Sequence, residues 1–144
     1  MHTPKTSGIM APMPCFTIML KKTKNNCMSL TENERQIIVS LELEKAQKTY
    51  EEFEIMRREE RWGAAANRLY YALFHAISAL LIHDGHNVKS HRGVQVLFGL
   101  HYVRTNIFSS EDGRVLTDLM IMRDNADYNC FYEAAQQNVV PNIE

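Results

Sequence analysis

The residues best suited to chemistry share one face of a segment that is otherwise apolar. Arg68, Tyr71 and His75 follow one another at intervals of three and four residues, a spacing that places them along about two turns of a helix face. A planar guanidinium suits an anionic group such as a phosphate, and an imidazole can transfer a proton near neutral pH. This face is therefore the first candidate for a binding or catalytic site.

A second polar group lies in a later segment. Arg123 follows the apolar residues Leu116 and Leu119 at helical spacing, so it is expected on the same helix face. Asp127 follows Arg123 by four residues. Residues four apart are neighbours on a helix surface, so we expect Arg123 and Asp127 to pair. The two polar groups are expected to meet between the second and fourth helices.

Two interpretations of these side chains stay open. In the first, they form a buried ion-pair and hydrogen-bond network that fixes the register of the helices, or Arg68 and Arg123 extend to solvent. In the second, the arginines bind a phosphate while His75 or Tyr128 handles a proton. Spacing alone does not choose between them.

Helices must position these residues, and their starts and stops are visible in the sequence. Thr31 with Glu34 forms a capping-box pattern, which predicts a long first helix. Its expected apolar stripe recurs with helical spacing at Val39, Leu43, Ala46, Tyr50 and Phe53. The charged run 57–61 then separates it from a mostly apolar second helix, predicted from about Trp62 to His83 and ended by Gly85.

Two further helices complete the expected core. Ser90 can cap a third helix that runs to about Arg104, and a fourth is predicted from about Gly113 to the segment around Tyr128. The inward positions are expected to be Val94, Leu97, Phe98 and Tyr102 in the third helix, and Val115, Leu116, Leu119, Met122 and Ala126 in the fourth. These elements predict an all-α antiparallel up-down bundle of four to five helices.

The chain ends are expected to differ from this bundle. Residues 1–28 mix prolines, methionines and lysines without a period, which predicts a flexible extension before a bundle over 29–144. Asn138 and Pro141 look like the start of a further helix. Because the sequence stops at Glu144, we expect that last helix to be truncated.

Composition limits the classes of function. The 144 residues suit one domain, and four of the 16 basic residues lie before position 28, which leaves 12 basic against 17 acidic residues in the rest. A domain with that balance lacks the dense basic stripe of a nonspecific nucleic-acid binder, so any RNA contact is expected to be local. No apolar run reaches membrane-spanning length, so we expect no membrane association.

Cysteine and histidine usage argues for a simple cytoplasmic protein. The three cysteines are odd in number and widely spaced, which favours neither a disulfide framework nor a thiolate metal site. His83, His86 and His91 surround one turn but lack an acidic or thiolate ligand at a familiar spacing. We expect these histidines in an exposed loop, with no metal and no cofactor.

Three motifs carry a resemblance to a known family. They are the strings Asn67-Arg68-Leu69-Tyr70-Tyr71-Ala72-Leu73-Phe74-His75-Ala76, Lys89-Ser90-His91-Arg92-Gly93-Val94 and Arg123-Asp124-Asn125-Ala126-Asp127-Tyr128. In this order, over about residues 29–144, the sequence resembles the HEPN domain family and most of all its uncharacterised stand-alone branch. The resemblance implies a bundle of four or five helices that often dimerises.

The resemblance also implies a biochemical setting. Members frequently accompany a small nucleotidyltransferase-type protein, sometimes as toxin and antitoxin, and many are metal-independent ribonucleases. That activity uses an arginine and a histidine four to six residues apart in a late helix. Here Arg123 matches the arginine, but Tyr128, Asn129 and Cys130 occupy the positions of the histidine. A tyrosine with a pKa of about 10 is a poor base at neutral pH.

Three hypotheses follow from the sequence. The first is an accessory protein that pairs with itself or with a nucleotidyltransferase-type partner and binds a nucleotide or RNA through Arg68 and Arg123. Tyr71, Asp127 and Tyr128 are the further binding candidates. The second is a ribonuclease toxin in which His75 reaches Arg123 across the bundle. The third is a scaffold without a ligand. Whether the protein is an enzyme is left undecided.

Overall fold

Helices build the part of the chain that the computed structural model describes, residues 30–143. The extension predicted for residues 1–28 lies outside that range. Between residues 30 and 143 there is no β-strand, which confirms the all-α class. None of the helices within the described range is long and apolar enough to span a membrane.

The first helix, α1, spans Glu32–Arg58 and begins as its sequence predicts. The Thr31 hydroxyl accepts a hydrogen bond from the Glu34 amide, while the Glu34 carboxylate accepts one from the Thr31 amide. The expected apolar stripe is only partly correct. Phe53 is fully buried, but Leu43 is 52% and Tyr50 38% exposed. Because α1 packs mainly against α2 (Trp62–His83), a narrower stripe suffices.

Helix α2 is the centre of the bundle, and its predicted bounds are confirmed. It contacts α1 and each of the later α-helices. Such a position explains its apolar composition, because a helix with neighbours on most sides has few positions that face water. Gly85 ends the helix with a φ of 90°, a conformation that side chains disfavour.

The third helix, α3, spans His91–Phe98 and continues as a π-helical turn over Gly99–Val103. Ser90 caps its start by accepting a hydrogen bond from the Gly93 amide, as predicted. The end of this segment is tied back to α2, since Tyr102 donates a 2.5 Å hydrogen bond to the Asp84 carboxylate. Burial and that carboxylate raise the pKa of Tyr102, so its hydroxyl stays a donor.

The fourth helix, α4, spans Ser110–Tyr128 and begins before the predicted start at Gly113. The Ser109 hydroxyl accepts a hydrogen bond from the Asp112 amide, and the Asp112 carboxylate accepts one from the Ser109 amide, a capping box that the sequence analysis missed. Gly113 lies inside α4, at a position where a Cβ atom would come within 3.0 Å of the Val103 side chain. This glycine therefore marks a close approach of two segments.

The last helix, α5, is a single turn at Gln136–Val139, followed by a 3-10 turn at Val140–Asn142. It is short, as expected, but it starts before Pro141, which instead occupies the beginning of the 3-10 turn. Val139 is fully buried in the common core. That core also contains these buried residues of the other helices: Phe53, Ala65, Ala66, Leu69, Tyr70, Ile77, Leu81, Val94, Phe98, Tyr102, Leu116, Leu119 and Met122.

Truncation of Val139 tests whether this last turn stabilises the bundle. Val139→Ala removes two buried methyl groups and leaves a cavity, so we expect the free energy of unfolding to fall by about 2 kcal/mol. Urea denaturation followed by circular dichroism measures the change. Val96→Ala, at a position that is 57% exposed, is the control and should have almost no effect. Equal stability of the two variants would contradict the packing of α5.

Candidate functional site

Arg123 lies on the inner side of α4, with its side chain only 11% exposed. Its guanidinium carbon is 5.0 Å from the centre of the Tyr70 ring and 5.5 Å from that of Tyr71, both on α2. One terminal nitrogen, Nη1, lies 3.1 Å from a carboxylate oxygen of Asp124. The aromatic faces and this carboxylate together hold the cation at the α2–α4 contact.

The charge of Arg123 is kept despite its burial. Burial opposes the charged form, but Asp124 and the two tyrosines outweigh it and raise the pKa of Arg123. Its Nε atom is buried and has no hydrogen-bond partner. An unused donor on a desolvated guanidinium is costly, and an anionic ligand near it would lower that cost.

The predicted pairing of Arg123 with Asp127 is wrong. Arg123 pairs with the adjacent Asp124, whereas Asp127 accepts a 2.9 Å hydrogen bond from the side-chain amide of Asn67 on α2. The inward turn of the guanidinium toward the tyrosines explains the difference. Polar groups of the two helices do meet, but through a different set of partners.

Arg68 faces α1 instead of α4. Its Nη1 atom lies 3.0 Å from the Glu52 carboxylate, and both side chains of this pair are partly exposed. A second hydrogen bond, 2.9 Å long, goes to the side-chain oxygen of Asn67. Arg68 also lies 5.9 Å from the centre of the Tyr71 ring, so Tyr71 contacts both arginines that the sequence singled out.

His75 is buried and paired across the α1–α2 contact. Its Nδ1 atom lies 2.7 Å from a carboxylate oxygen of Glu42, and the residue is 7% exposed. The ring stacks on Tyr71 with centroids 6.3 Å apart. His75 and Arg123 thus share Tyr71 as a neighbour, but no direct hydrogen bond between them is present among the described side chains. The structure therefore shows no direct contact that would support a joint role of His75 and Arg123 in RNA cleavage.

His91 was predicted to lie in an exposed loop with His83 and His86, and for His91 that prediction is wrong because it is a partly buried helix residue of this site. It is the first residue of α3, and its Nδ1 atom lies 2.8 Å from the Tyr70 hydroxyl. Its ring packs on Phe74 with centroids 4.3 Å apart. The available signal was its position directly after the cap Ser90, which fixes the direction in which the helix starts.

The surroundings of His91 favour the neutral form of its ring. Burial lowers the pKa of His91, and the positive charge of Arg123 and the neighbouring His75 lower it further, while Asp124 acts in the opposite sense. Burial raises the pKa of Tyr70, although Arg123 opposes that shift. The site therefore holds a cation, a neutral phenol and a neutral imidazole in contact.

The other candidates have separate surroundings. Tyr128 is 80% exposed at the end of α4. His83 pairs with Asp84, and the His86 ring stacks on that of His101 at 4.0 Å. Within residues 30–143 no three histidine, cysteine or acidic side chains are grouped as metal ligands would be.

Taken together, Arg123, Tyr70 and His91 bring three helices to one point. A guanidinium can bind an anion, and a neutral imidazole can accept a proton or donate a hydrogen bond. Tyr70 contacts both groups and so fixes their relative positions. This arrangement is suited to a phosphate-containing ligand.

The pH dependence of stability tests the environment of His91. Its pKa is lower in the folded protein than in the unfolded chain, where histidine titrates near about 6.5. Below that pH the unfolded chain binds the proton more readily, so stability should fall as the solution is acidified from about pH 7.5 to 5.5. His91→Asn should flatten this slope in urea denaturation, and His83→Asn, in an exposed position, should not. Identical slopes for the two variants would contradict the assignment.

Comparison with known proteins agrees with this architecture. The model of the HEPN domain matches residues 39–141. A UPF0332 protein of Thermotoga maritima is 31% identical over 107 residues, covering 74% of this chain and 81% of that protein. Two proteins of Methanocaldococcus jannaschii, named “Putative toxin MJ0142” and “Putative toxin MJ0605”, are 30% and 33% identical over 66% and 69% of this chain, covering 65% and 73% of their own lengths. The chain belongs to the HEPN domain family.

Proposed function

We propose that the protein is a toxin-like HEPN component that binds RNA or a nucleotide through the phosphate and works with a nucleotidyltransferase-type partner. The observation that carries the proposal is the Arg123 guanidinium, which is nearly buried and has an unpaired Nε donor. Arginine donors in a fixed planar fork match phosphate oxygens. The names of the two Methanocaldococcus relatives support the toxin-like character.

The ligand approaches from the side of Asp124. Asp124 is 54% exposed and pairs with Nη1 of Arg123, so this end of the guanidinium lies next to the surface. A phosphate that displaces the carboxylate exchanges one charged partner for another with more acceptor oxygens. The exchange adds contacts without leaving a buried charge unpaired.

The site is local, which fits the charge of the domain. An acidic domain gains little from nonspecific attraction to a polynucleotide. Recognition therefore depends on a few contacts at Arg123 and on aromatic side chains that can stack on a base. Tyr128 and Phe131, which are 80% and 96% exposed near the end of α4, supply such surfaces.

The same aromatic pair suits a protein partner. Large exposed aromatic side chains are often covered in an assembly. We propose that the nucleotidyltransferase-type protein, or a second copy of the chain, covers this end of α4 and so competes with RNA for the same two side chains. Cys130, between the two aromatics, has a free thiol, which fits the reducing cytoplasm in which we place the protein.

Binding of a 2′-O-methyl oligoribonucleotide, which cannot be cleaved through its 2′-oxygen, tests the phosphate site directly. Arg123→Ala should weaken binding roughly tenfold to hundredfold, because a hydrogen bond to a charged group contributes about 1.5–3 kcal/mol. Fluorescence anisotropy at several salt concentrations measures the affinity. The slope of the logarithm of affinity against the logarithm of salt concentration should also decrease, by the amount that about one phosphate contact contributes.

Arg114→Ala is the matched control. Arg114 lies on the same helix but is 64% exposed and paired with Glu111, so its loss should leave the affinity unchanged. Arg123→Lys keeps the charge without the fork and should bind more weakly than the unchanged protein. Equal affinity of all four proteins would overturn the phosphate site, and no binding by any of them would favour a scaffold without a ligand.

Growth on expression tests the toxin-like character. Induction of the full chain should arrest bacterial growth, and co-expression of a nucleotidyltransferase-type protein encoded beside it should restore growth. Arg123→Ala should arrest growth less than Arg114→Ala at equal protein levels on a blot. Full growth with the unchanged chain would contradict a toxin that acts alone.

A further inference from the structure

We propose that the stacked imidazoles of His86 and His101 form a pH-sensitive contact, which keeps the connection between α2 and α3 closed near neutral pH and opens it in acid. The two ring centres are 4.0 Å apart, and the ring planes are inclined by only 28°. Both residues are partly buried. The proposal goes beyond the proposed function, because it does not depend on a ligand at Arg123.

This pair of histidines joins the two ends of one segment, residues 84–102. The segment leaves the end of α2 at Asp84 and reaches the middle of the same helix at His91, whose ring packs on Phe74. Helix α3 and its π-helical turn then return to the end of α2, where Tyr102 donates a hydrogen bond to Asp84. The stacked rings therefore close the segment on itself beside that hydrogen bond.

The two rings belong to different elements, so they can separate while both helices stay folded. The backbone amide of His86 donates a hydrogen bond to the Leu81 carbonyl in the turn that ends α2. His101 belongs to the π-helical turn Gly99–Val103, and such turns are rare and often found at functional positions. Opening the contact frees the end of the α3 segment from the end of α2.

The charge of the pair depends on pH, because histidine changes its charge between about pH 5 and 8. One proton on the pair is stabilised by the Asp84 carboxylate. Hydrogen bonds from Tyr102 and His83 lower the pKa of Asp84, and the charge of His86 lowers it further, so this group stays an anion in mild acid. A second proton places two like charges 4.0 Å apart. The open pair therefore binds protons more readily than the closed pair, and acid favours the open form.

The other charged groups around the pair are mostly positive or already paired. Arg35 of α1 lies beside the same turn, since a Cβ atom at Gly85 would come within 3.0 Å of its Nη1 atom, and its partner Glu32 is 3.9 Å away. The acids that precede Gly113, where α4 approaches Val103, bond within α4: Asp112 with Ser109 and Glu111 with Arg114. The exposed cations of the segment and its end are Lys89, Arg92 and Arg104. In acid, the positive charge around the pair therefore exceeds the negative charge of Asp84.

Nuclear magnetic resonance of the full chain tests the contact directly. The ring protons of His86 and His101 should show a nuclear Overhauser effect at about pH 7.5 and lose it at about pH 5. Hydrogen exchange of the amides in residues 84–102, corrected for the effect of pH on the chemical rate, should rise relative to that of α1. The rise should be at least about fivefold, the effect of two unit charges at 4 Å in a medium as polar as water.

Three variants change the charge of this cluster in known directions. His101→Phe and His86→Phe each keep an aromatic ring in the stack and remove one titratable group, so residues 84–102 should stay protected at about pH 5. Asp84→Asn removes the charge that stabilises the first proton, so the segment should open at a higher pH than in the unchanged protein. Circular dichroism at neutral pH checks that each variant is folded.

Salt separates charge repulsion from a loss of packing. Sodium chloride at about 1 M shortens the screening length to about 3 Å. It should therefore move the opening of the unchanged protein to a lower pH, whereas His101→Phe should not respond. Opening that does not depend on salt would contradict repulsion between the two rings.

The variant His91→Asn separates this contact from the other histidine of the segment, which is also protonated in acid. Acid opening that persists in His91→Asn and disappears in His101→Phe supports the proposal. Equal opening of His101→Phe and the unchanged protein overturns it, as does the loss of acid opening in His91→Asn. A cross-ring Overhauser effect that is missing at neutral pH, or that survives in acid, overturns it as well. Binding of the oligonucleotide at Arg123 is tested separately and can fail without affecting these results.

Discussion

A positive charge held between aromatic rings connects three helices of this bundle. The Arg123 guanidinium of α4 packs on Tyr70 and Tyr71 of α2, and Tyr70 in turn bonds to His91 of α3. Desolvating a cation is costly unless nearby groups stabilise it, and here two ring faces and Asp124 do so. The relative positions of the helices are thus tied to the geometry of one charged group.

The rest of the bundle supports that geometry from outside. Tyr71 also contacts Arg68 and His75, and those two residues reach the acids Glu52 and Glu42 of α1. Helix α1 therefore stabilises the position of Tyr71 indirectly, through the acidic partners of Arg68 and His75. The hydrogen bond from Tyr102 to Asp84 holds the far end of the α3 segment against the end of α2.

Sequence patterns predicted the helices well because their signals are local. The capping box at Thr31, the stop at Gly85 and the cap at Ser90 each depend on residues within one or two turns. The start of α4 was misplaced because a glycine was taken as a turn, whereas Gly113 is needed for the close approach of Val103. That requirement comes from a different segment and leaves no periodic pattern.

The candidate site was only partly predictable for the same reason. The sequence identified Arg123, Arg68, Tyr71 and His75 as unusual, since a charged or polar residue on an apolar helix face is visible without a structure. It paired Arg123 with Asp127 because residues four apart usually meet, but the inward turn toward the tyrosines prevailed. His91 lies 32 residues before Arg123 in the sequence, so no spacing rule within one helix could connect them.

This dependence on distant contacts changes how an incomplete motif is interpreted. The helix of Arg123 has no histidine at the positions of the motif, whereas α3 places an imidazole on the hydroxyl of Tyr70, so the polar site is assembled from separate helices. This assembly couples the polar site to core packing, because Tyr70 is also part of the core. A substitution there disturbs packing and chemistry together, whereas His91 is partly exposed at a helix start and can be changed with less damage to the fold. His91 is therefore the member of this site that can be substituted with the least disturbance of the core.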